Sequence, residues 1–254
     1  MTVLAATERT NDPAGFSIAV LFTMKEPLLL LPGMMCDARI FTPQIAAFSA
    51  DRPVMVAPLT GRTSFRELAE DILAHAPPRF ALAGLSMGGI TAMEIIKQAP
   101  ERITRLALMD TNPLAEPADR AAGRDSQIER VRVGGLRSVM RDEMKPNYLT
   151  DGPHKGRILD LCMVMAETLG AGVFADQSRA LQQRPDQRDT LRAVRVPTLI
   201  LCGEDDALCP LERHKMMRDL ISGARLAVIS GAGHLPTLEQ PERTNEELKQ
   251  WLNA

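Results

Sequence analysis

Aromatic residues are scarce: they make up 4% of the 254 residues, with one tryptophan and one tyrosine. So few rings exclude the stacking platforms that grip bases or sugars. No charge excess exists either, because 30 Lys and Arg face 32 Asp and Glu, leaving a net −2. That balance argues against a nucleic-acid phosphate surface or an anionic membrane as partner. Cysteine is limited to Cys36, Cys162, Cys202 and Cys209. None forms a CxxC pair or sits at zinc-ligand spacing with a histidine, so they read as free thiols in a reducing compartment, with no metal or cofactor site. Residues 1–11 lack the basic start and apolar stretch of a signal peptide, and no run reaches about 18 consecutive apolar residues. A cytoplasmic location is the expectation. What the chain does have is 14 methionines, 45% hydrophobic and 24% charged residues. Those are globular proportions with ample deformable apolar surface, and the length fits one α/β domain carrying an inserted subdomain.

Short apolar runs alternate with helical patterns. Strands are expected at 16–23, 27–31, 54–57, 79–83, 105–109, 198–202 and 226–229. Ser64 and Glu67 read as a capping box opening a helix whose apolar face is Phe65, Leu68, Ile72 and Leu73. Further helices are expected over 88–98 and 241–252, the latter with Pro241 in its first turn. Alternating strands and helices predict a mostly parallel central sheet covered on both faces. Residues 113–192 break this rhythm. They show helical patterns at 128–144, 155–168 and 172–183 and no strand, which predicts helices inserted between two strands of the sheet. The expected division is a core of 1–112 with 193–254, and an inserted subdomain of 113–192.

Gly84-Leu85-Ser86-Met87-Gly88 has the form G-x-S-x-G, with an apolar strand before it and a helical pattern after it. A serine on such a sharp strand-to-helix turn stands exposed at the sheet edge, and the helix N-terminus offers N–H groups to an anion. A serine hydroxyl needs a base to become a nucleophile. Of the four histidines, His75, His154 and His214 fall in or beside helical segments and read as surface residues. His234 lies in Gly231-Ala232-Gly233-His234-Leu235-Pro236, a loop leaving the sheet edge where open α/β sheets bind ligands. The base needs an orienting carboxylate. Glu204, Asp205 and Asp206 follow one strand, and Asp110 ends another.

With these motifs in place the chain resembles proteins of the α/β-hydrolase fold. The order Ser86, acid, His234 is the order that fold uses. Gly203, Asp206 and Pro210 match the family's G-x-x-D-x-x-x-P, which favours Asp206 as the acid. Leu28-Leu29-Leu30-Leu31-Pro32-Gly33 is similar to the family's strand-then-HG segment, with Pro32 where histidine is usual. Whatever that histidine braces must be held otherwise here. The resemblance implies a catalytic triad of Ser86, Asp206 and His234, with the backbone N–H groups of Met34 and Met87 as oxyanion hole. The implied activity is hydrolysis of a small or medium carboxylic ester through an acyl-enzyme, without a cofactor. The alternatives are an enol-lactonase or carbon–carbon bond hydrolase on the same triad, or a weakly catalytic ligand-binding member of the fold. The partner is then a small-molecule ester or lactone. The insertion is expected to cover the site as a lid and to set substrate choice, with Met140, Met144 and Met163 touching an apolar substrate. Arg132, Arg137 and Arg141 read as its solvated face, with a substrate carboxylate as the other use for one of them.

Overall fold

The computed structural model describes residues 25–254; the expected strand at 16–23 lies outside them. The elements run β1 (Leu28–Leu31), α1 (Thr42–Phe48), β2 (Val54–Val56), α2 (Phe65–His75), β3 (Phe80–Leu85), α3 (Met87–Gln98) and β4 (Ile103–Met109). They continue as α4 (Ala118–Arg130), α5 (Leu136–Val139), α6 (Lys155–Gln182), α7 (Arg188–Ala193), β5 (Thr198–Gly203), α8 (Leu211–Leu220), β6 (Arg225–Ile229), α9 (Pro236–Glu239) and α10 (Pro241–Asn253). The six strands form one sheet in the order β2-β1-β3-β4-β5-β6, and every neighbouring pair is parallel.

Two-sided burial explains the continuous apolar strands. Leu29, Leu31, Leu82, Leu106, Leu108 and Ile200 point to one face, where Phe65, Leu68, Ile72, Ile90 and Met217 cover them. Leu28, Leu30, Ala81, Ala83, Leu199 and Leu201 point to the other, against Phe48, Leu248, Trp251 and Leu252. Helix α2 starts where the capping pattern placed it, with Ser64 Oγ accepting the Glu67 N–H at 3.3 Å.

Chain order reverses direction between β1 and β3: β2 is added on one side of β1 and β3 on the other, paired through Leu31 and Gly84. The carboxyl ends of those two strands therefore open a crevice that no crossover fills, the usual place for a ligand in such sheets. Helices α4 to α7 all fall between β4 and β5, as the broken rhythm predicted. The expected single helix over 128–144 is instead interrupted. Gly134 takes φ 95°, a left-handed value that glycine tolerates, and the helical path bends there. Helix α6 spans 28 residues but turns at Gly170 (φ 81°), close to the expected gap between two helices. Among the described residues it is the one helix long and apolar enough to cross a membrane. Its sequence shows two short helical patterns and not one long apolar run. Here its buried residues join two hydrophobic clusters, Met163, Ala166 and Phe174 in one and Ile158, Cys162 and Met165 in the other, and the helix packs on α4, α5 and α9.

Candidate active site

Ser86 stands between β3 and α3 with φ 54° and ψ −114°. A left-handed conformation at a residue with a side chain costs on the order of 1–3 kcal/mol, and the surrounding packing holds it there. Gly88 is what allows the turn to sit so close to β1: a Cβ on it would lie 2.1 Å from the Leu31 carbonyl oxygen. Ser86 occupies the N-cap position of α3, yet its hydroxyl does not cap the helix. Its Oγ lies 2.9 Å from His234 Nε2 instead.

His234 Nδ1 lies 2.9 Å from Asp206 Oδ2, so the hydrogen-bond pattern has Nδ1–H donating to the carboxylate and Nε2 accepting from the serine. Asp206 Oδ1 accepts the backbone N–H groups of Leu208 and Cys209 at 2.8 and 3.0 Å. Burial alone would push this carboxyl up, but the charge and hydrogen bond of His234 and those two N–H groups outweigh it and hold Asp206 below the usual range. The neighbouring Glu204 and Asp205 are exposed. Their backbone N–H groups pair with the carbonyls of Ile229 and Ala232, which ties the acid's loop to the histidine's loop. Gly203 permits that approach, since a Cβ there would fall 1.9 Å from the Gly233 carbonyl oxygen.

Asp110 is fully buried and faces the same region with φ 44°. Its Oδ1 accepts the Gly203 N–H at 2.8 Å and its Oδ2 has no hydrogen-bond partner among the described residues. Burial first, then the Asp206 charge, pushes its carboxyl well above the usual range. Asp206, Cys209 and His234 also bring three potential metal ligands within 4.8 Å of one another, a grouping that local spacing could not reveal. Asp206 already makes three hydrogen bonds there, His234 Nδ1 is one of its donors, and burial pushes the Cys209 thiol up. A protonated thiol beside committed donors fits a metal ion poorly.

The Met34 and Met87 N–H groups donate to no other described residue. They flank Ser86 from the β1 and β3 ends, and Met87 opens the positive end of α3. The turn after β1, which carries Pro32, is braced from the insertion. Gln177, buried on α6, accepts the Met35 N–H at 2.8 Å and donates to the Leu59 carbonyl at 2.8 Å. Replacing Gln177 by leucine strands a buried N–H and a buried carbonyl, at about 1–3 kcal/mol each. A Gln177→Leu protein is expected to melt lower and to lose kcat more than it gains KM, because Met34 is no longer held. Unchanged kcat would show that the turn needs no brace.

Glu239 performs a similar task for the histidine loop. Its carboxylate accepts the N–H groups of Gly233, Leu235 and Thr150, all at 3.0 Å, while the His234 N–H donates to the Tyr148 carbonyl at 2.7 Å. His75 and His154 are exposed as expected. His214 is not: it is fully buried on α8, its Nε2 accepts the Thr111 N–H at 3.2 Å, and burial pushes its pKa down to about 4. The expected surface position fails because the charged residues around it occupy the other side of α8.

A cavity of about 380 Å³ opens onto Ser86 and His234, within the size range of small-molecule sites. Met34, Met87 and Ile90 line it from the core and Met144, Asn147, Tyr148 and Leu181 from the insertion. Of the three methionines expected to touch substrate, only Met144 lines it. Met140 and Met163 are 1% and 6% exposed and pack into the core, where helical spacing alone could not separate them from cavity residues. Arg132, Arg137 and Arg141 pair on the surface with Glu129, Glu167 and Asp142. The arginines on the cavity wall are instead Arg120, Arg124 and Arg184, which no local sequence pattern marks.

Known proteins share this architecture. A carboxylesterase of Bacillus subtilis is 25% identical over 89% of this chain and 79% of its own. A thermophilic esterase from Thermogutta terrifontis, solved with malate bound, superposes with a TM-score of 0.83 at 27% identity, covering 91% of this chain and 90% of that one. The enol-lactonase from Burkholderia xenovorans superposes at 0.82 over 99% of this chain and 97% of its own, with 19% identity, a likeness of fold. The profile of the Alpha/beta hydrolase family matches residues 28–247, from the first leucine of β1 to the middle of α10, and the chain belongs to that family.

Proposed function

We propose that the protein hydrolyses a carboxylic ester of small or medium size through an acyl-enzyme on Ser86. The observation that carries this reading is the continuous chain Asp206–His234–Ser86, 2.9 Å at each link, opening into the cavity. Ester-cleaving names among the relatives support it: the carboxylesterase, and an enol-lactonase of Acinetobacter baylyi 26% identical over 82% of this chain. In this reading Ser86 Oγ attacks the ester carbonyl while His234 Nε2 takes its proton. The carbonyl oxygen becomes an oxyanion and meets the Met34 and Met87 N–H groups, where one such donor is worth about 3–4 kcal/mol. His234 then gives its proton to the departing alcohol. Water, deprotonated by the same nitrogen, releases the acid and restores the serine. Asp206 holds Nδ1–H and stabilises the imidazolium at both stages. Residues 113–192 act as the lid, with Met144, Tyr148 and Leu181 shaping the cavity. A lactone would open by the same steps, its alcohol staying attached to the acid.

Pre-steady-state mixing with a 4-nitrophenyl ester tests this. A burst of nitrophenolate equal to the enzyme concentration is expected, followed by slower turnover. Turnover without covalent capture of the acyl group, in a protein that resists a serine-directed fluorophosphonate, would overturn it.

A further inference from the structure

We propose that the cavity contains a subsite for a substrate carboxylate, built from Arg120, Arg124 and Arg184, so that the favoured ester is the monoester of a short dicarboxylic acid. This rests on the ester-hydrolase reading above and narrows its substrate class. It also departs from the apolar substrate that the methionine content suggested.

Glu116 is the centre of the cluster, its side chain 1% exposed. The Arg124 Nε donates to Glu116 Oε1 at 2.8 Å, and an Arg184 terminal nitrogen lies 2.7 Å from Oε2. The Arg184 side chain is 7% exposed, and its buried Nε has no hydrogen-bond partner among the described residues. Arg120 lies one helical turn before Arg124 on α4, reaches the same cavity wall, and has no ion-pair partner among the described residues. Two guanidinium groups thus share one buried carboxylate, and the exposed Arg120 adds a third cation beside them. The other acid on the wall, Glu143, does not redress the balance, because Arg130 and Gln127 already hold it. The two groups on Glu116 leave an excess of one positive charge on the cavity wall, and Arg120 adds another at its exposed side.

Buried cations without counter-charge are costly, so a surplus kept inside a cavity favours an anionic occupant. Arginine suits a carboxylate in particular, because its planar fork presents two parallel N–H donors. The cluster is also near the reacting atoms. A terminal nitrogen of Arg124 lies 4.0 Å from the sulfur of Met34, whose backbone N–H faces the oxyanion in the proposed reaction. A carboxylate held there sits a few bonds from a carbonyl placed over Ser86, the spacing within a short dicarboxylic acid. The unpaired Arg120 and the Arg124 terminal nitrogen beside Met34 supply donors that Glu116 does not use.

The test compares two esters of matched length, monomethyl glutarate and methyl pentanoate, by their kcat/KM ratio. The native protein is expected to favour the anionic ester by roughly 10-fold or more, the range of one charge-assisted contact. Arg120→Gln, a change at an exposed residue, is expected to cut the ratio about 3–10-fold. Arg184→Lys, which keeps the charge and loses the fork, is expected to cut it as well. A native ratio at or below one, with the neutral ester turned over, overturns the subsite and leaves the hydrolase reading standing. If neither ester is cleaved and Ser86 takes no fluorophosphonate, the hydrolase reading has failed. Titration calorimetry of the Ser86→Ala protein then decides the subsite by itself. Binding of monomethyl glutarate that is weakened by Arg120→Gln supports it, and binding indifferent to that change, or none, overturns it.

Discussion

Replacing Ser86 by alanine is expected to lower kcat by about 10⁴–10⁶-fold while the protein keeps its fold. The size follows from the proposed role: without Oγ no acyl-enzyme forms, and the histidine, the acid and the oxyanion donors have no nucleophile to serve. The fold survives because the change is small. Alanine keeps the Cβ, so the left-handed backbone at 86 is no more strained than before. The Ser86 N–H still donates to the Met109 carbonyl, and the Ser86 carbonyl still accepts the Thr111 hydroxyl at 2.7 Å. Only the bond to His234 is lost, worth about 1 kcal/mol. The check is a progress curve with a chromogenic ester beside a thermal melt. Activity within tenfold of the native protein, with an unchanged melt, would remove Ser86 from the mechanism.

Asparagine at position 206 is expected to cost about 10⁴-fold in kcat, whereas asparagine at position 110 is expected to cost a few-fold at most. Both residues are buried acids at strand ends, and their hydrogen bonds separate them. In an Asp206→Asn protein the amide NH₂ would face His234 Nδ1, which can then only accept. The ring's proton moves to Nε2 and points at Ser86, so the base is lost. Asp110 accepts the Gly203 N–H, whereas the carboxylate on His234 Nδ1 is that of Asp206. Burial and the nearby Asp206 charge raise its carboxyl well above the usual range, and an amide preserves the oxygen that accepts the Gly203 N–H.

Stability against pH distinguishes the same two residues. The raised folded value of Asp110 stabilises the native state at low pH, and that contribution is lost as pH rises from the ordinary carboxylate range through the folded value. The native protein should therefore lose stability relative to Asp110→Asn as pH increases. Asp206 has a lowered folded value, so its contribution is present above the ordinary range and disappears as pH falls. Melting curves from pH 4 to 8 check both. An inactive Asp110→Asn protein with an active Asp206→Asn protein would move the acid to the end of β4.

What was legible in the sequence was whatever is carried by neighbours along the chain. The runs that became β1, β3 and β5 are buried on both faces, so each shows as an unbroken apolar stretch with a turn signal after it. Ser86 and the His234 loop follow such stretches directly. Asp206 was separated from Asp205 by the motif of the family, and the structure adds a reason, since Asp205 is exposed while Asp206 receives three hydrogen bonds. Helix α1 was not anticipated, being seven residues long with a proline in its first turn. The braces were hidden for a different reason. Gln177 reaches across 142 positions to Met35, and Glu239 reaches 89 to Thr150. Such contacts leave no local pattern. The same holds for Arg184, which meets Glu116 only because α6 folds back beside α4. Met140 lies one helical turn before Met144 and Met163 lies on α6, and both are buried in the core.

The central claim is that Ser86 carries the acyl group, and mass spectrometry of the protein during turnover tests it most directly. Rapid acid quench of a reaction with a 4-nitrophenyl ester, followed by peptide mapping, should find the acyl mass on the peptide containing Ser86. It should be absent from the Ser86→Ala protein and should accumulate in proportion to the nitrophenolate burst. Steady turnover with no acylated Ser86 peptide, or the acyl mass on a different residue, would contradict the account.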